Sequence, residues 1–362
     1  MNLYIFLNLF TKRIMGIKNF HSFMRKKIPF SYENLSFSDL ENKKIAIDTS
    51  IFMCKFKSSL GNKWLSGFLT MISKLLANNI RFIFIFDGKA PPEKAKERQN
   101  RTIMRDRNRT RIENILEDWY DFVQERNDSN RPESFHLNEF ENYNYLQDYL
   151  SKKTKNSNIL CDELYTNMNK LNKNLVPISP SDYELLREML DVLNIQFCIS
   201  PDNQEAESLC VLLTNEGIVD AILTEDTDAI AYGAKKMLFN VNFRQETVES
   251  LELENILNNL DITYNQLKDW CIMCGTDYNK NIPMVGPKKA YDLIKKHGNL
   301  ETIEIHGKNI DVLNYPITRN LFDYERFIDQ LEIKEIKSND DIRLEELETK
   351  KFLFYNNIQL LY

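Results

Sequence analysis

The chain lacks the excess of positive charge that a uniformly basic nucleic-acid binder carries: its formal net charge is −6 and its pI is near 5.5. That leaves a local basic surface open, because a field depends on where charges sit more than on their sum. A disulfide framework is also lacking. Six cysteines at irregular spacings, with no secretory leader, point to a reducing intracellular compartment. Cys271 and Cys274 form a C-x-x-C, but no second pair completes a zinc site, and both fall in an apolar helical run with Leu267 and Trp270, so they read as core. Long apolar runs are missing as well. The opening MNLYIFLNLF holds two Asn, has no basic leader and is far shorter than a membrane span, which excludes an anchor. There are no internal repeats.

What is present is a chain of 362 residues, 43% hydrophobic, long enough for a large core in one or two domains. Its most informative stretch runs from Asn203 to Gly233. Ala206, Leu209, Cys210 and Leu213 recur at helical spacing, Gly217 closes the helix, and VDAIL reads as a short buried strand. Glu205 and Glu207 stand at the start of that helix, and Asp226 and Asp228 just past the strand, where open α/β sheets place ligands. At i and i+2 the two glutamates serve one site only if the helix begins there. The plain alternative is helix capping by Glu205 and a solvated loop at Asp226.

Two more apolar strands end in an acid: Ile45 to Ile47 run into Asp48, and IRFIFIF runs into Asp87. Between them Trp64, Leu65, Phe68, Leu69, Ile72, Leu75 and Leu76 make one helical stripe stopped by Asn78 and Asn79. Strands alternating with helices predict an α/β fold, with a mainly parallel central sheet covered on both faces. Residues 88–111 then hold nine basic residues against three acids, a local excess inside an acidic protein. By itself such a run reads as a solvated face. From Gln124 to Asn174 the chain is polar, with no long stripe after Trp119 and one helical piece at Tyr143 to Leu150; it reads as a mobile excursion, too polar to fold alone. Ser181 to Leu193 is a capped helix, IQFCI and KKMLFNV are strands, and Tyr264 to Cys274 is a helix closed by Gly275, with Asp277 beyond. NIPMVGPKKAYDLIKKHG follows as a turn with Gly286 and a helix opened by Pro287 that carries Lys288 and Lys289. Helix, hairpin, helix is suited to gripping a phosphate backbone. The remainder from Leu300 offers amphipathic pieces and no motif.

Seven carboxylates therefore await a purpose: Asp48, Asp87, Glu205, Glu207, Asp226, Asp228 and Asp277. Gathered at one rim, each pair at ~4 Å would repel by about 4 kcal/mol, so the cluster requires cations. An all-oxygen set without His or Cys selects Mg²⁺, with Mn²⁺ able to substitute, and two such ions would serve a phosphodiester displacement. Lys94 and Arg101, two turns apart on nearly one helical face, would meet the scissile phosphate.

The stretches MGI at Met15, AIDTS, FIFDGKAPPEK, NQEAES, TEDTDAIAYG, CGTDY and VGPKKAYDLIKKHG resemble, in order, the structure-specific 5′ nucleases of the flap endonuclease type, the xeroderma pigmentosum group G family. The resemblance covers about residues 15–300, and all seven acids fall on the family's metal-binding motifs. It implies a divalent-metal nuclease acting on DNA with a 5′ flap or a single-strand/duplex junction. By that likeness Lys94 and Arg101 are the phosphate-contacting pair, and Gly286, Lys288 and Lys289 contact DNA. The implied organisation is an extension at 1–14, untranslated or dispensable, and a nuclease region at 15–101. A helical arch follows at 102–177, then a second nuclease region at 178–300 with helix-hairpin-helix at 264–298, and a C-terminal helical region at 301–362. A monomer is expected, acting in the nucleus or at a viral replication site, with no sliding-clamp peptide. Three features depart from the family. Met284-Val285-Gly286 stands where the hairpin usually reads Gly-x-Gly and holds a monovalent cation. Cys54 takes the place of a base-stacking Tyr, so that either Phe52 or Phe56 substitutes or the stacking is lost. The arch is longer and more polar. A Holliday-junction, bubble-type or RNA-cutting relative remains as an alternative enzyme, and a catalytically dead DNA-binding scaffold as an alternative of another class.

Overall fold

The computed structural model describes residues 16–126, 132–154, 157–173, 175, 177–304, 309–330, 332–342, 344 and 347–359. The amino-terminal extension considered above thus lies outside the described residues. Seven strands form the central sheet: β1 (Tyr32–Ser36), β2 (Lys44–Asp48), β3 (Arg81–Phe86), β6 (Phe197–Ile199), β7 (Ala221–Leu223), β8 (Lys236–Asn242) and β9 (Thr247–Glu252). β4 (Ser134–His136) and β5 (Asn158–Leu160) make a separate antiparallel ribbon. The order across the main sheet is β1-β9-β8-β7-β2-β3-β6. β8, β7, β2, β3 and β6 are parallel, while β9 and β1 run antiparallel at one edge, which makes the sheet mixed. The edge pair escaped sequence reading because YENLS and TVESLE are half polar and carry no apolar run.

Strict alternation along the central strands builds two cores, one on each face. Ala46, Ile83, Ile85, Ile222 and Met237 pack on one side with the helices Phe20–Lys27, Ala206–Asn215 and Tyr264–Cys274. Ile45, Ile47, Phe82, Phe84, Phe86, Leu223 and Leu238 pack on the other with Thr49–Leu60, Trp64–Ala77 and Pro180–Val192. The last of these starts at Pro180, one residue before the expected Ser181. Its cap is Ser179, whose backbone N–H and hydroxyl both donate to the Asp182 carboxylate.

The excursion differs from its reading. One helix runs unbroken from Ala95 to Arg126, 32 residues, through the expected arch boundary at 101/102. Its second half carries Ile112, Ile115, Leu116, Trp119 and Phe122 on one face. These bury a third core with Phe135, Phe140, Leu146, Tyr149, Leu150, Leu164, Met168 and Leu171. The segment is therefore not too polar to fold. Sequence reading passed over one short stripe, Cys161, Leu164, Met168 and Leu171 in the helix Cys161–Lys173, and the other apolar residues are spread over the helix Asn144–Lys153 and shorter elements. Among the described residues no helix is long and apolar enough to cross a membrane.

Candidate active site

Because β7, β2 and β3 are parallel neighbours, their carboxyl ends lie along one sheet edge, and an acid follows each. Asp48 is the last residue of β2, Asp87 follows β3, and Asp226 and Asp228 follow β7. The helix Ala206–Asn215 begins beside them with Glu205 as its N-cap residue and Glu207 in its first turn, which brings both glutamates to the same rim. Capping, however, is not the work of Glu205. Its side chain makes no cap bond, and Asp87 Oδ1 accepts the Ala206 N–H at 2.9 Å instead. The segment at Gly16 also closes on the rim. The Ile17 N–H donates to Thr227 Oγ1 at 2.9 Å, and a Cβ at Gly16, where φ is +73°, would fall 2.2 Å from Asp226 Oδ1.

Asp48, Glu207, Asp226 and Asp228 are buried. Burial, then mutual repulsion, pushes their carboxyls up: Asp48 is raised further by Asp87 and Asp226, Glu207 by Asp48 and Glu205, and Asp228 by Asp226 and Asp277. Asp226 rises to about 6, by burial first and Asp277 second. Asp277 behaves oppositely. Burial disfavours its charge, but Lys94 and Arg101 overcome that and hold it below the usual carboxylate range. Lys94 Nζ sits 2.5 Å from Glu205 Oε1 and 3.1 Å from Asp277 Oδ2, while Arg101 pairs with Asp277 and, at 3.1 Å, with Glu97. Burial alone would lower the Lys94 ammonium; Glu205, Glu207, Asp277 and Asp226 carry it well above its ordinary value. Lys94 lies in the short turn Pro92–Lys94 that leads into the long helix, not on the helix itself.

Sequence reading missed the hydroxyls that orient these acids. Tyr278 donates to Glu205 Oε2 and lies 2.6 Å from the Tyr232 hydroxyl, and Thr224 Oγ1 donates to Asp48 Oδ2 at 2.9 Å. Their only signal was position, a Tyr directly after Asp277 and a Thr two residues before Asp226.

Does the donor set fit a cation? Among the described residues Asp228 Oδ1 has no hydrogen-bond partner and is buried among other buried carboxylates, and an oxygen so placed suits a hard divalent ion. Among the described residues no three Asp, Glu, His or Cys side chains close on one point. Glu205 and Asp277 are drawn instead to Lys94 and Arg101.

Two further expectations meet the structure here. Phe52 and Phe56 are buried in the core at 0% and 8% exposure, so neither substitutes for a stacking Tyr beside the exposed Cys54. Between the helices Tyr264–Cys274 and Pro287–His297, the turn carries Met284 at φ +63° with 90% of its surface exposed. Gly286 precedes the second helix in open space, and Lys288 and Lys289 are exposed beside it.

Comparison with known proteins bears on this geometry. The XPG N-terminal domain matches residues 15–108 and the XPG I-region residues 194–277. The "Probable RAD2-like endonuclease 076L" of Invertebrate iridescent virus 3 is 31% identical over 339 residues, covering 87% of each chain. Among solved structures, the catalytic core of Rad2 in complex with DNA substrate superposes with a TM-score of 0.53 at 20% identity, over 96% of this chain and 82% of that one. Flap endonuclease-1 from Methanococcus jannaschii gives 0.53 at 22%, over 90% and 89%. At those identities the two structures speak for the fold.

Proposed function

The chain belongs to the XPG/RAD2-like nuclease family, a family of phosphodiester hydrolases, and from that premise we propose a divalent-metal-dependent nuclease that cuts DNA at 5′ flaps or single-strand/duplex junctions during replication or repair. The observation that carries the reading is the row of carboxylates at the ends of β7, β2 and β3, buried at Asp48, Asp226 and Asp228 and exposed at Asp87, with an Asp228 oxygen that has no hydrogen-bond partner among the described residues. Asp48, Asp87, Glu205, Glu207, Asp226, Asp228 and Asp277 would hold two Mg²⁺ ions, or Mn²⁺ in their place. When bound, these supply the charge neutralisation and water activation that phosphodiester hydrolysis requires.

The chain's own groups do the rest. Lys94 and Arg101, held by Glu205 and Asp277, stand ready to meet the phosphate at the scissile bond and stabilise the charge that develops there. Thr224 and Tyr278 fix the carboxylate rotamers of Asp48 and Glu205. Gly286, Lys288 and Lys289 grip the duplex through its phosphates, and the protein acts as a monomer. The test is cleavage, with and without Mg²⁺, of a 5′-flap duplex, a four-way junction and single-stranded RNA. Mg²⁺-dependent cutting fastest on the flap supports the proposal. A preference for the junction or the RNA replaces its substrate, and no cutting of any of the three rejects it.

A further inference from the structure

The sequence beyond Leu300 shows no motif, and the two family domains matched above end at residues 108 and 277. One side chain of this region nevertheless stands two contacts from the acid rim. Phe322 follows the helix Tyr315–Leu321, is fully buried, and meets two tyrosine rings nearly at right angles: Tyr232 at 5.0 Å and 78°, and Tyr278 at 5.4 Å and 79°. T-shaped contacts of this kind fix a ring's orientation as well as burying its area.

The two rings matter for their hydroxyls. The Tyr232 and Tyr278 oxygens lie 2.6 Å apart, and Tyr278 donates to Glu205 Oε2. A hydroxyl has one proton to give and an ionised carboxylate has none, so Tyr278 gives its proton to Glu205 and accepts that of Tyr232. The chain therefore has one direction, and each bond polarises the next. The Tyr278 ring also lies 5.7 Å from Lys94 Nζ, so that this one side chain meets both members of the Lys94–Glu205 pair. A ring free to tilt would lose the alignment that so short a hydroxyl contact needs.

Phe322 is itself held. Arg319, one turn earlier, donates from Nε and Nη2 to Oδ1 and Oδ2 of Asp269 at 2.6 Å each, a bidentate pair with the helix Tyr264–Cys274. Glu301 accepts from the same guanidinium. The turn after Phe322, Tyr324–Gln330, packs on the helix Ala206–Asn215. The segment is thus anchored both on the helix that precedes Tyr278 and on the helix that opens at Glu205.

We propose that Phe322 is a positioning residue of the nuclease site: it holds the Tyr232–Tyr278 hydroxyl chain so that Glu205 keeps its carboxylate in place for the metal ions. The inference rests on the metal-dependent reading above and deepens it, because it assigns part of the site to a region without a motif.

Mn²⁺ binding to the DNA-free protein, followed by electron paramagnetic resonance, tests this without any cleavage. Tyr278→Phe keeps the ring and removes the hydroxyl, and Mn²⁺ affinity should fall about tenfold, the usual cost of losing a group that orients a metal ligand. Phe322→Leu keeps most of the apolar volume and removes the ring, and affinity should fall several-fold. The double variant should bind like Tyr278→Phe alone, because without the Tyr278 hydroxyl Phe322 has nothing to position. Phe140→Leu, at an equally buried ring of the third core, should cost comparable stability in urea and leave Mn²⁺ binding unchanged. Phe322→Met, a more adaptable filling, takes the place of the leucine variant if that one does not fold. Losses that add in the double variant, a loss in Phe140→Leu equal to that in Phe322→Leu, or wild-type Mn²⁺ affinity in a folded Phe322 variant would overturn the proposal. Wild-type protein that bound no Mn²⁺ would overturn the function proposed above and this inference with it, whereas wild-type binding left intact in the Phe322 variants overturns the positioning alone.

Discussion

Gly16→Ala tests how closely the start of the described chain packs on the acid rim. Its Cβ would lie 2.2 Å from Asp226 Oδ1, 2.6 Å from the Asp228 backbone N and 2.8 Å from Thr227 Oγ1, at a φ of +73°. Gly217 has nearly the same φ, +71°, with nothing within 4 Å of its Cβ. Both alanines bear the left-handed backbone cost of about 1 kcal/mol. Only Gly16→Ala also overpacks, at about 1–3 kcal/mol. The neighbours cannot step aside freely, because Asp226 Oδ1 accepts the Asp228 N–H at 2.9 Å, and moving it leaves a buried donor unpaired for about 1–3 kcal/mol more. We expect a loss of about 3–7 kcal/mol for Gly16→Ala and about 1 kcal/mol for Gly217→Ala in urea unfolding at unchanged m-value. Cleavage should fall in the first only. Equal costs for the two variants would refute the close approach.

Other expectations follow from the charges. Asp226→Asn and Asp228→Asn should abolish cleavage while DNA affinity stays within a few-fold by anisotropy. Since burial raises the Asp226 pKa to about 6, its charge costs stability as pH rises from 3.8 through 6, and metal-free Asp226→Asn at pH 8 should be up to about 3 kcal/mol more stable than metal-free wild type. Lys94→Ala and Arg101→Ala should lower the single-turnover rate far more than binding, whereas Lys288→Ala and Lys289→Ala should weaken all duplex binding and reduce the salt slope by about one each. His21, 3.0 Å from the Tyr32 hydroxyl, is held at a pKa of about 4 by burial and Arg25. Below about pH 6.5 the unfolded chain takes up a proton that the folded one refuses. Wild type should therefore lose about 2–3 kcal/mol relative to His21→Phe between pH 6.5 and 4, read as the difference between their urea curves.

The parallel strands were legible because Ile45 to Ile47, Phe82 to Phe86 and Ala221 to Leu223 are buried on both faces and read as apolar runs, each followed within three residues by an acid. The start of the Ala206 helix was legible only as a condition, that two glutamates at i and i+2 share a site if the helix begins between them. The burial of Phe52 and Phe56 was not legible. A helix with apolar residues on several faces does not say which face meets the sheet, and Cys54 is the residue left outside. The third core escaped for the opposite reason: Phe135, Phe140, Leu146 and Leu164 lie in separate short elements and meet only in space. The pairing of Asp277 with Lys94 and Arg101 spans more than 170 residues, beyond any local pattern.

In the proposed function the acids at the sheet edge hold the ions with which DNA is cut. Single-turnover cleavage of a 5′-flap duplex across a Mg²⁺ titration tests it directly, with Asp228→Asn run beside wild type. The expected outcome is no cutting by wild type in EDTA, a saturable rise in rate with Mg²⁺, restoration by Mn²⁺, and no cutting by Asp228→Asn at Mg²⁺ that saturates wild type. Cleavage at full rate in EDTA, or by Asp228→Asn with the Mg²⁺ dependence of wild type, would contradict it.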